Sequence, residues 1–422
     1  MYMTTEESYQ QRLIGIEEEE LPRNFQDAIV ICHKLDIRYL WVSHQVYDRI
    51  ELTIDISKID SICIIQHNRT DWEMEAPRMK TIYGEAYLVI SCSWADRPNN
   101  GCFSTRSPSA KFMFQCQGRQ FSVTVRQPLV YDLWQEKDLF FAEREPLLMR
   151  AWALQERLLA RRILHYTSTE LIWECKRHTR CECSGMSRPR PPWIASYPVG
   201  SSLKSDFNNI LTAESSMKDK LEAWHAIIVV QYMYRRLSVD SDRLIALSGI
   251  AKHFSSLNMG RYLAGIWEAS LPHALGWTVH GGARPARYRA PSWSWASVEA
   301  RLPYANASKV DGIRVVEVDC VPLTADPYGE VSDGYIAVEG VLVPVALKDD
   351  VYNKRCDESF DPSIDIFALK LRKGVYKTSQ SESCLLLRRS DRSPGSYERL
   401  GTADAGPHVF EGRDKTSIIR IV

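Results

Sequence analysis

The chain has 422 residues, enough for two or three domains. Its 53 basic and 53 acidic residues balance, which argues against nucleic acid as the main partner. No run of 18 or more apolar residues predicts a membrane-spanning helix, and the N-terminal residues lack the pattern of a secretory signal. We therefore expect a protein with neither a nucleic-acid nor a membrane partner.

The cysteines and the familiar catalytic motifs exclude several classes of site. The 11 cysteines are scattered, mostly inside apolar runs, which is typical of reduced, buried thiols in a cytoplasmic protein. Cys175, His178, Cys181 and Cys183 lie close together, but they lack the two spaced cysteine pairs of a zinc site, so we predict no metal. The chain has no Gly-x-Ser-x-Gly elbow, Walker A loop or Gly-x-Gly-x-x-Gly fingerprint.

The first third of the chain predicts an α/β arrangement. Apolar residues recur at helical spacing over residues 25–35, with Asn24 as a candidate N-cap. Residues 38–41 and 59–65 are short apolar runs that together would form one buried strand. A helix over 71–83 and a strand over 87–92 follow. This strand–helix–strand order predicts a parallel sheet.

Further along, alternating apolar and polar residues over 111–125 predict a β-hairpin. A broad apolar stripe over 146–159 predicts a helix. Two short runs, 162–166 and 170–175, flank three hydroxyl residues and predict a second hairpin.

The remainder of the chain predicts a helical region and then a β region. Residues 189–200 are rich in proline and serine and are interpreted as a linker. Residues 216–237 and 242–254 have helical patterns. From Gly312 onward, short apolar runs alternate with glycine, proline and aspartate, which predicts an antiparallel β region.

Two strings in the first third look like halves of one motif. They are Tyr39-Leu40-Trp41 and Ile59-Asp60-Ser61-Ile62, separated by residues 42–58. Joined, they resemble the central motif of the HET domain, the heterokaryon-incompatibility domain of filamentous fungi. Further blocks that resemble this family are Asp71-Trp72, Arg78-Met79, Ile82-Tyr83, Gly101-Cys102-Phe103, residues 150–156, 171–175, 242–251, 262–267 and 290–296.

We hypothesise that residues 42–58 are a retained intron translated into protein. The segment would occupy 51 nucleotides. Its codons can supply a splice donor at Val42-Ser43, a branch point at Leu52-Thr53 and an acceptor at Lys58. The alternative is a genuine surface insertion, which costs little chain entropy. The segment, however, interrupts an apolar run rather than an exposed turn, where insertions are tolerated.

Sequencing the transcript tests this hypothesis. We expect spliced messages that lack the codons for residues 42–58, because their removal restores one continuous apolar strand pattern. Retention of these codons in every message would show that the insertion is genuine.

The resemblance also implies a fold. HET domains are inferred to have a TIR-like, flavodoxin-like parallel sheet, and they begin with a strand of the type Tyr-x-Ala-Leu-Ser-Tyr-x-Trp-Gly. Nothing before Leu21 matches that strand, so we expect a sheet that lacks its first strand. The expected divisions are a HET domain over 1–185, a helical region over 186–302 and a β-rich region over 303–422.

Glu156 is the candidate catalytic residue. Trp152-Ala153-Leu154-Gln155-Glu156 is similar to the Trp-x-x-Glu of TIR-like enzymes that cleave NAD, with a spacing one residue longer. A carboxylate there can hold ribose hydroxyls and stabilise oxocarbenium character as the glycosidic bond breaks. The alternative is a structural role, in which Glu156 pairs with Arg150 or Arg157.

Four residues are candidate ligand-binding residues: Asp60, Arg78, Arg150 and Trp152. Asp60 would follow a strand end, where α/β sheets place site residues, or would bond backbone groups of the next loop. Arg78 can bind a phosphate, although a salt bridge to Asp71 or Glu75 is the alternative.

The resemblance implies a protein of fungal non-self recognition that triggers programmed cell death, as an effector or as a signalling module. It implies no cofactor, with NAD as a candidate substrate, and either a protein partner or self-association. The alternatives are a TIR-like enzyme that cleaves NAD through Glu156, or an inactive gene product.

Overall fold

The computed structural model describes residues 2–41, 62–75, 78–106, 109–126, 145–182, 204, 207–208, 214–225, 231–279, 281–300, 310–361, 363–372 and 382–422. The chain divides into two compact units, Met1–Asn209 and Ile210–Val422. Residues 42–58, Ile59 and Asp60 lie outside the described residues, so the proposed junction stays a prediction. The expected division into three segments also stays a prediction.

Two helices open the first unit. Helix α1, Glu6–Ile14, begins at a capping box formed by Thr5 and Ser8. Helix α2, Arg23–Lys34, buries Phe25, Ala28, Ile31 and Cys32 on one face, which confirms the helix predicted over 25–35. The helix begins at Arg23, and its N-cap is Pro22 rather than Asn24.

The strand predicted from residues 38–41 and 59–65 is wrong for the part that the structure describes. Residues 38–41 have no regular structure, and 62–67 form turns. The reason lies in the backbone hydrogen bonds. The Ile65 amide donates to the Asp71 carboxylate at 2.7 Å, and the Ile62 carbonyl accepts from the Thr4 hydroxyl at 2.6 Å. These side chains satisfy backbone groups that a sheet would otherwise pair.

Two short helices replace the single helix predicted over 71–83. They are α3, Arg69–Glu75, and α4, Met79–Glu85. Pro77 lies between them in sequence, and proline lacks the amide hydrogen that a continuous helix needs. Met79 and Tyr83 are the buried residues of α4.

The β-hairpins of this unit form where the sequence predicts them. Strand β1, Val89–Cys92, is followed by a hairpin of β2, Ser109–Cys116, and β3, Arg119–Arg126. Helix α5, Ala151–Leu159, follows a short 3₁₀ turn at Pro146–Met149. Strands β4, Arg162–Tyr166, β5, Leu171–Cys175, and β6, Thr179–Cys181, complete the unit.

These strands, apart from the β2–β3 hairpin, form a sheet of order β1-β4-β5-β6. Strand β1 pairs with β4 in parallel, with Val89 opposite Ile163, and the other pairs are antiparallel. Helix α5 lies on the connection between the two parallel strands. The sheet therefore contains a parallel pair, but it joins β1 to β4 with α5 on their connection, and the predicted pairing of β1 with the run at 59–65 is wrong for the described residues.

The second unit begins with helices and aromatic packing. Helix α6, Met217–Ala223, starts at a capping box of Ser216 and Asp219, and α7, Ile245–Phe254, is almost entirely buried. Strands β7, Tyr262–Leu263, and β8, Ile266–Trp267, form a small hairpin. Trp224 makes edge contacts with Phe254, Tyr262 and Trp267.

An eight-stranded sheet forms the rest of this unit. Its strands are β9, Arg314–Pro322, β10, Val331–Gly340, β11, Leu342–Val345, β12, Val351–Cys356, β13, Ile366–Lys370, β14, Glu382–Arg389, β15, Tyr397–Ala405, and β16, Ser417–Ile421. The order is β11-β13-β14-β15-β16-β10-β9, with β12 beside β15. All pairings are antiparallel except the short β15–β16 contact. Helix α8, Pro407–Phe410, precedes β16.

The fold is thus mixed α/β, with a sheet that contains a parallel pair in the first unit and an antiparallel region at the C-terminal end. The predicted antiparallel tail is confirmed. Within the described ranges, no helix reaches the length and hydropathy that crossing a bilayer requires.

Candidate functional site

The first unit contains a cavity of about 580 Å³ beside β1, α2 and α5. This volume is in the range of small-molecule sites. One part of its wall is apolar, with Phe25 and Ala28 of α2 and Val89 and Ile90 of β1. Another part is polar and contains Ser91, Arg150, Glu156, Arg157 and His165. An apolar cleft with a few convergent polar groups is the usual form of a ligand site.

Glu156 belongs to the polar wall of this cavity. Burial raises the pKa of its carboxyl group, while the charge of Arg150 and the nearby Tyr83 hydroxyl act in the opposite direction. Helix α5 positions the pair, because Arg150 is its N-cap and Glu156 follows in its second turn. A carboxyl group with a raised pKa at a cavity wall, facing a cation, is a recognised candidate for a functional residue.

The other predicted site residues have different positions. Arg150 is buried and lines the cavity with Glu156. Trp152 is buried, but it is not among the described residues that line the cavity. Arg78 is exposed and forms an ion pair with Glu75, the alternative that its sequence context predicted. Asp60 lies outside the described residues.

A buried ionic network joins Arg157 and His165 of the polar wall to Glu174, and sequence analysis missed it. The Arg157 guanidinium donates to both oxygens of Glu174, at 2.8 Å from Nε and 2.8 Å from Nη2. His165 Nε2 lies 3.2 Å from Glu174 Oε2. The side chain of Arg157 is 7% exposed and that of Glu174 is 0% exposed. The signal in the sequence was a glutamate inside an apolar β-strand pattern, Leu171–Cys175.

The pKa values of Glu174 and His165 are both lowered, for different reasons. Burial alone raises the pKa of Glu174, but the charge and hydrogen bonds of Arg157 and His165 outweigh it and hold that pKa far below its ordinary value. Burial lowers the pKa of His165, and its bond to Glu174 only partly offsets this. Glu174 is therefore ionised and His165 is neutral at physiological pH.

A lysine completes the network at the end of α5. Lys204 Nζ donates to the backbone carbonyls of Arg157 and Leu158, the latter at 3.3 Å. Burial lowers the pKa of Lys204 to about 7, although the charge of Glu174 favours its protonated form. The last carbonyls of a helix carry partial negative charge, so a cationic lysine stabilises this end of the helix.

Ser93, His165 and Glu174 form a chain of hydrogen bonds similar in composition to a hydrolase triad. Ser93 Oγ lies 3.3 Å from His165 Nδ1 and 2.9 Å from Ser91 Oγ. Ser93 is, however, 0% exposed, and both carboxylate oxygens of Glu174 are bound by Arg157. A nucleophile must reach its substrate, so we interpret this chain as structural support that connects β1, β4 and β5.

The cysteine and histidine cluster brings one thiol close to one imidazole. Cys175 Sγ lies 3.8 Å from His178 Nδ1, and Cys181 is buried. Among the residues that the structure describes, no group of three or more His, Cys, Asp or Glu side chains could hold a metal ion. Cys183 lies outside the described residues, so the expected absence of a metal stays a prediction.

The ionic network predicts a large effect for Glu174→Gln. The substitution leaves the buried Arg157 without its counter-charge, so we expect a loss of about 3–5 kcal/mol in the free energy of unfolding. Glu85→Gln is the matched control, because Glu85 pairs with Arg161 at the surface and such pairs contribute less than about 1 kcal/mol. Urea denaturation measures both variants. Equal losses in the two variants would show that the buried pair has no special role.

The raised pKa of Glu156 predicts that the stability difference between Glu156→Gln and the wild type depends on pH. Its pKa is raised in the folded state, so its contribution favours folding while it is protonated and is lost as the pH rises through the folded-state value. Glu156→Gln removes this loss. We therefore expect the variant to melt above the wild type at pH 8 by a larger margin than at pH 5, with about 2–4 °C for each unit of pKa shift. Thermal unfolding at the two pH values measures the margin, and a constant margin would contradict the assignment.

Comparison with protein families gives a match in the first unit. The family model described as Heterokaryon incompatibility protein (HET) matches residues 2–156. The match begins before Leu21 and ends at Glu156, so the similar blocks downstream lie outside it. Comparisons with curated proteins and with solved structures gave no match. The TIR-like form of the fold therefore stays a prediction. Residues 2–156 of this chain therefore match the model of the heterokaryon incompatibility (HET) family, as the sequence resemblance predicted.

Proposed function

We propose that this chain acts in fungal heterokaryon incompatibility, as a cytoplasmic effector or signalling module of non-self recognition that leads to cell death. The HET match over residues 2–156 supports this type of role. Such a role requires that the domain act when a partner or another copy engages it. A protein partner or self-association is therefore part of the proposal.

We further propose that the domain cleaves the glycosidic bond of NAD. The observation that carries this chemistry is the position of Glu156, beside Arg150, on the wall of a cavity of about 580 Å³. A guanidinium binds phosphate oxygens in a bidentate manner, so Arg150 is suited to the pyrophosphate. The apolar part of the wall, with Phe25 and Val89, is suited to a flat aromatic ring.

In the proposed reaction, Glu156 stabilises the developing charge and water is the nucleophile. The bond between ribose C1′ and the nicotinamide nitrogen breaks, and its electron pair neutralises the pyridinium. Positive charge then develops on the ribose ring, and the Glu156 carboxylate stabilises it. Water adds to C1′ and loses a proton, which yields ADP-ribose. No redox partner is needed.

Incubation of the full-length protein with NAD tests this proposal. We expect release of free nicotinamide, reduced about a hundredfold or more in Glu156→Gln because the developing charge loses its counter-ion. Glu85→Gln, a surface variant of the same chemistry, should keep the wild-type rate. The rate should rise with pH through the raised pKa of Glu156, since the carboxylate is the active form.

Two outcomes would contradict the proposal that the domain cleaves NAD. One is an absence of nicotinamide release, and the other is equal release from Glu156→Gln and the wild type. Either result would favour a non-enzymatic module that signals by self-association or partner binding. If the chain also lacks incompatibility activity when expressed in a fungal host, the inactive-product alternative applies.

A further inference from the structure

The hairpin of β2 and β3 has one apolar face and one largely polar face. Phe112 pairs with Val123, Phe114 with Phe121 and Ala110 with Val125. Because side chains alternate between the two sides of a strand, these six residues share one face. The rings of Phe114 and Phe121 stack across it, with centroids 5.6 Å apart. The opposite face carries Lys111, Met113, Gln115, Gln120 and Ser122.

The apolar face is exposed to solvent. The large apolar side chains on it are between 44% and 57% exposed: Phe112, Phe114, Phe121, Val123 and Val125. A two-stranded hairpin has little independent stability, and it normally buries its apolar face against another layer. Contiguous exposed apolar side chains on one face are a mark of an interaction surface.

The charge of the hairpin is one-sided. Residues 109–126 contain Lys111, Arg119 and Arg126 and no aspartate or glutamate. The chain as a whole is neutral, so this segment concentrates positive charge. Gln117 and Gly118 form the tip with positive φ angles, and Arg119 follows directly. Aromatic residues on one face, combined with nearby basic residues, match an anionic lipid surface.

We propose that the β2–β3 hairpin docks on a membrane surface that contains anionic lipid. The apolar face enters the boundary between headgroups and acyl chains, and Arg119, which shares this face beside the tip, contacts lipid phosphates. A second copy of the hairpin is the competing occupant, but face-to-face pairing would bring two segments of net charge +3 together without acidic residues of their own. This inference goes beyond the proposed function and is independent of Glu156.

The expectation of no membrane partner arose because the sequence was searched for a helix that spans a bilayer. The apolar residues of the hairpin recur at every second position, and they therefore share one face of this two-stranded sheet. A search for long apolar runs does not detect such a pattern. Peripheral docking of this kind also needs no membrane-spanning element.

Co-sedimentation of the full-length protein with vesicles tests the proposal. Vesicles of phosphatidylcholine are compared with vesicles that contain 30% phosphatidylserine, at about 0.1 M and 0.5 M salt. We expect binding to the anionic vesicles that weakens at the higher salt concentration, because screening reduces charge attraction. The variant Arg119→Gln should bind about fivefold more weakly, since a basic residue near an anionic surface contributes about fivefold to binding.

The apolar contribution is tested by Phe112→Ser with Phe121→Ser, which should also reduce binding at least tenfold. The matched controls are Leu323→Ser and Lys218→Gln, which alter an exposed leucine and an exposed lysine of the other unit and should leave binding unchanged. Near-UV circular dichroism verifies that each variant is folded. Absence of vesicle binding, or equal binding to both vesicle types, would overturn the proposal. Dimerisation that the phenylalanine variant abolishes, without vesicle binding, would assign the face to a second copy.

Discussion

The first unit depends on the buried ion pair between Arg157 and Glu174. Two charges removed from water are stable only when each satisfies the other, and here the guanidinium bonds both carboxylate oxygens. The pair connects α5 to β5, and His165 extends it to β4. Lys204 then binds the carbonyls at the end of α5. The orientation of α5 on the sheet follows from these bonds.

That orientation decides how Glu156 behaves. Glu156 and Arg157 are neighbours in sequence, and successive residues of a helix point about 100° apart. Arg157 reaches Glu174, while Glu156 lines the cavity beside Arg150. Glu156 and Glu174 are the same residue type, yet burial raises the pKa of Glu156, whereas Arg157 and His165 together outweigh burial and lower the pKa of Glu174. A carboxyl group whose pKa is raised at a cavity wall is a candidate for chemistry, whereas a carboxylate that is bonded at both oxygens serves structure.

The first unit combines a cavity with an exposed amphipathic hairpin, and the two proposals assign a different role to each. In the two proposals, the cavity binds a small molecule and the amphipathic hairpin docks on a membrane surface. Catalysis and location would then be separate properties, carried by different elements of one domain. Such a division allows the site to be altered without loss of attachment, and the reverse.

Local sequence patterns were sufficient for many elements. The helical spacing of Phe25, Ala28 and Cys32 identified α2, and alternation identified the β2–β3 and β4–β5 hairpins. The two hairpins pair residues close by in sequence, and the spacing of α2 repeats within the helix itself, so the local pattern contains the needed information. The run ending at Ile65 failed as a strand because Thr4 and Asp71 bond its backbone. Those partners depend on where α1 and α3 pack, which no local pattern records.

The sequence by itself determined the HET relationship, the type of most elements and Glu156 as a candidate, because these depend on short strings and on periodicity. Only the tertiary structure decided that Glu156 shares a cavity with Arg150, that Arg78 pairs with Glu75 at the surface, and that Glu174 is bound by Arg157. Whether a charged side chain serves a site or a salt bridge depends on its burial and its neighbours across the fold. Burial and neighbours depend on how elements far apart in sequence pack together, and local sequence patterns do not show this packing.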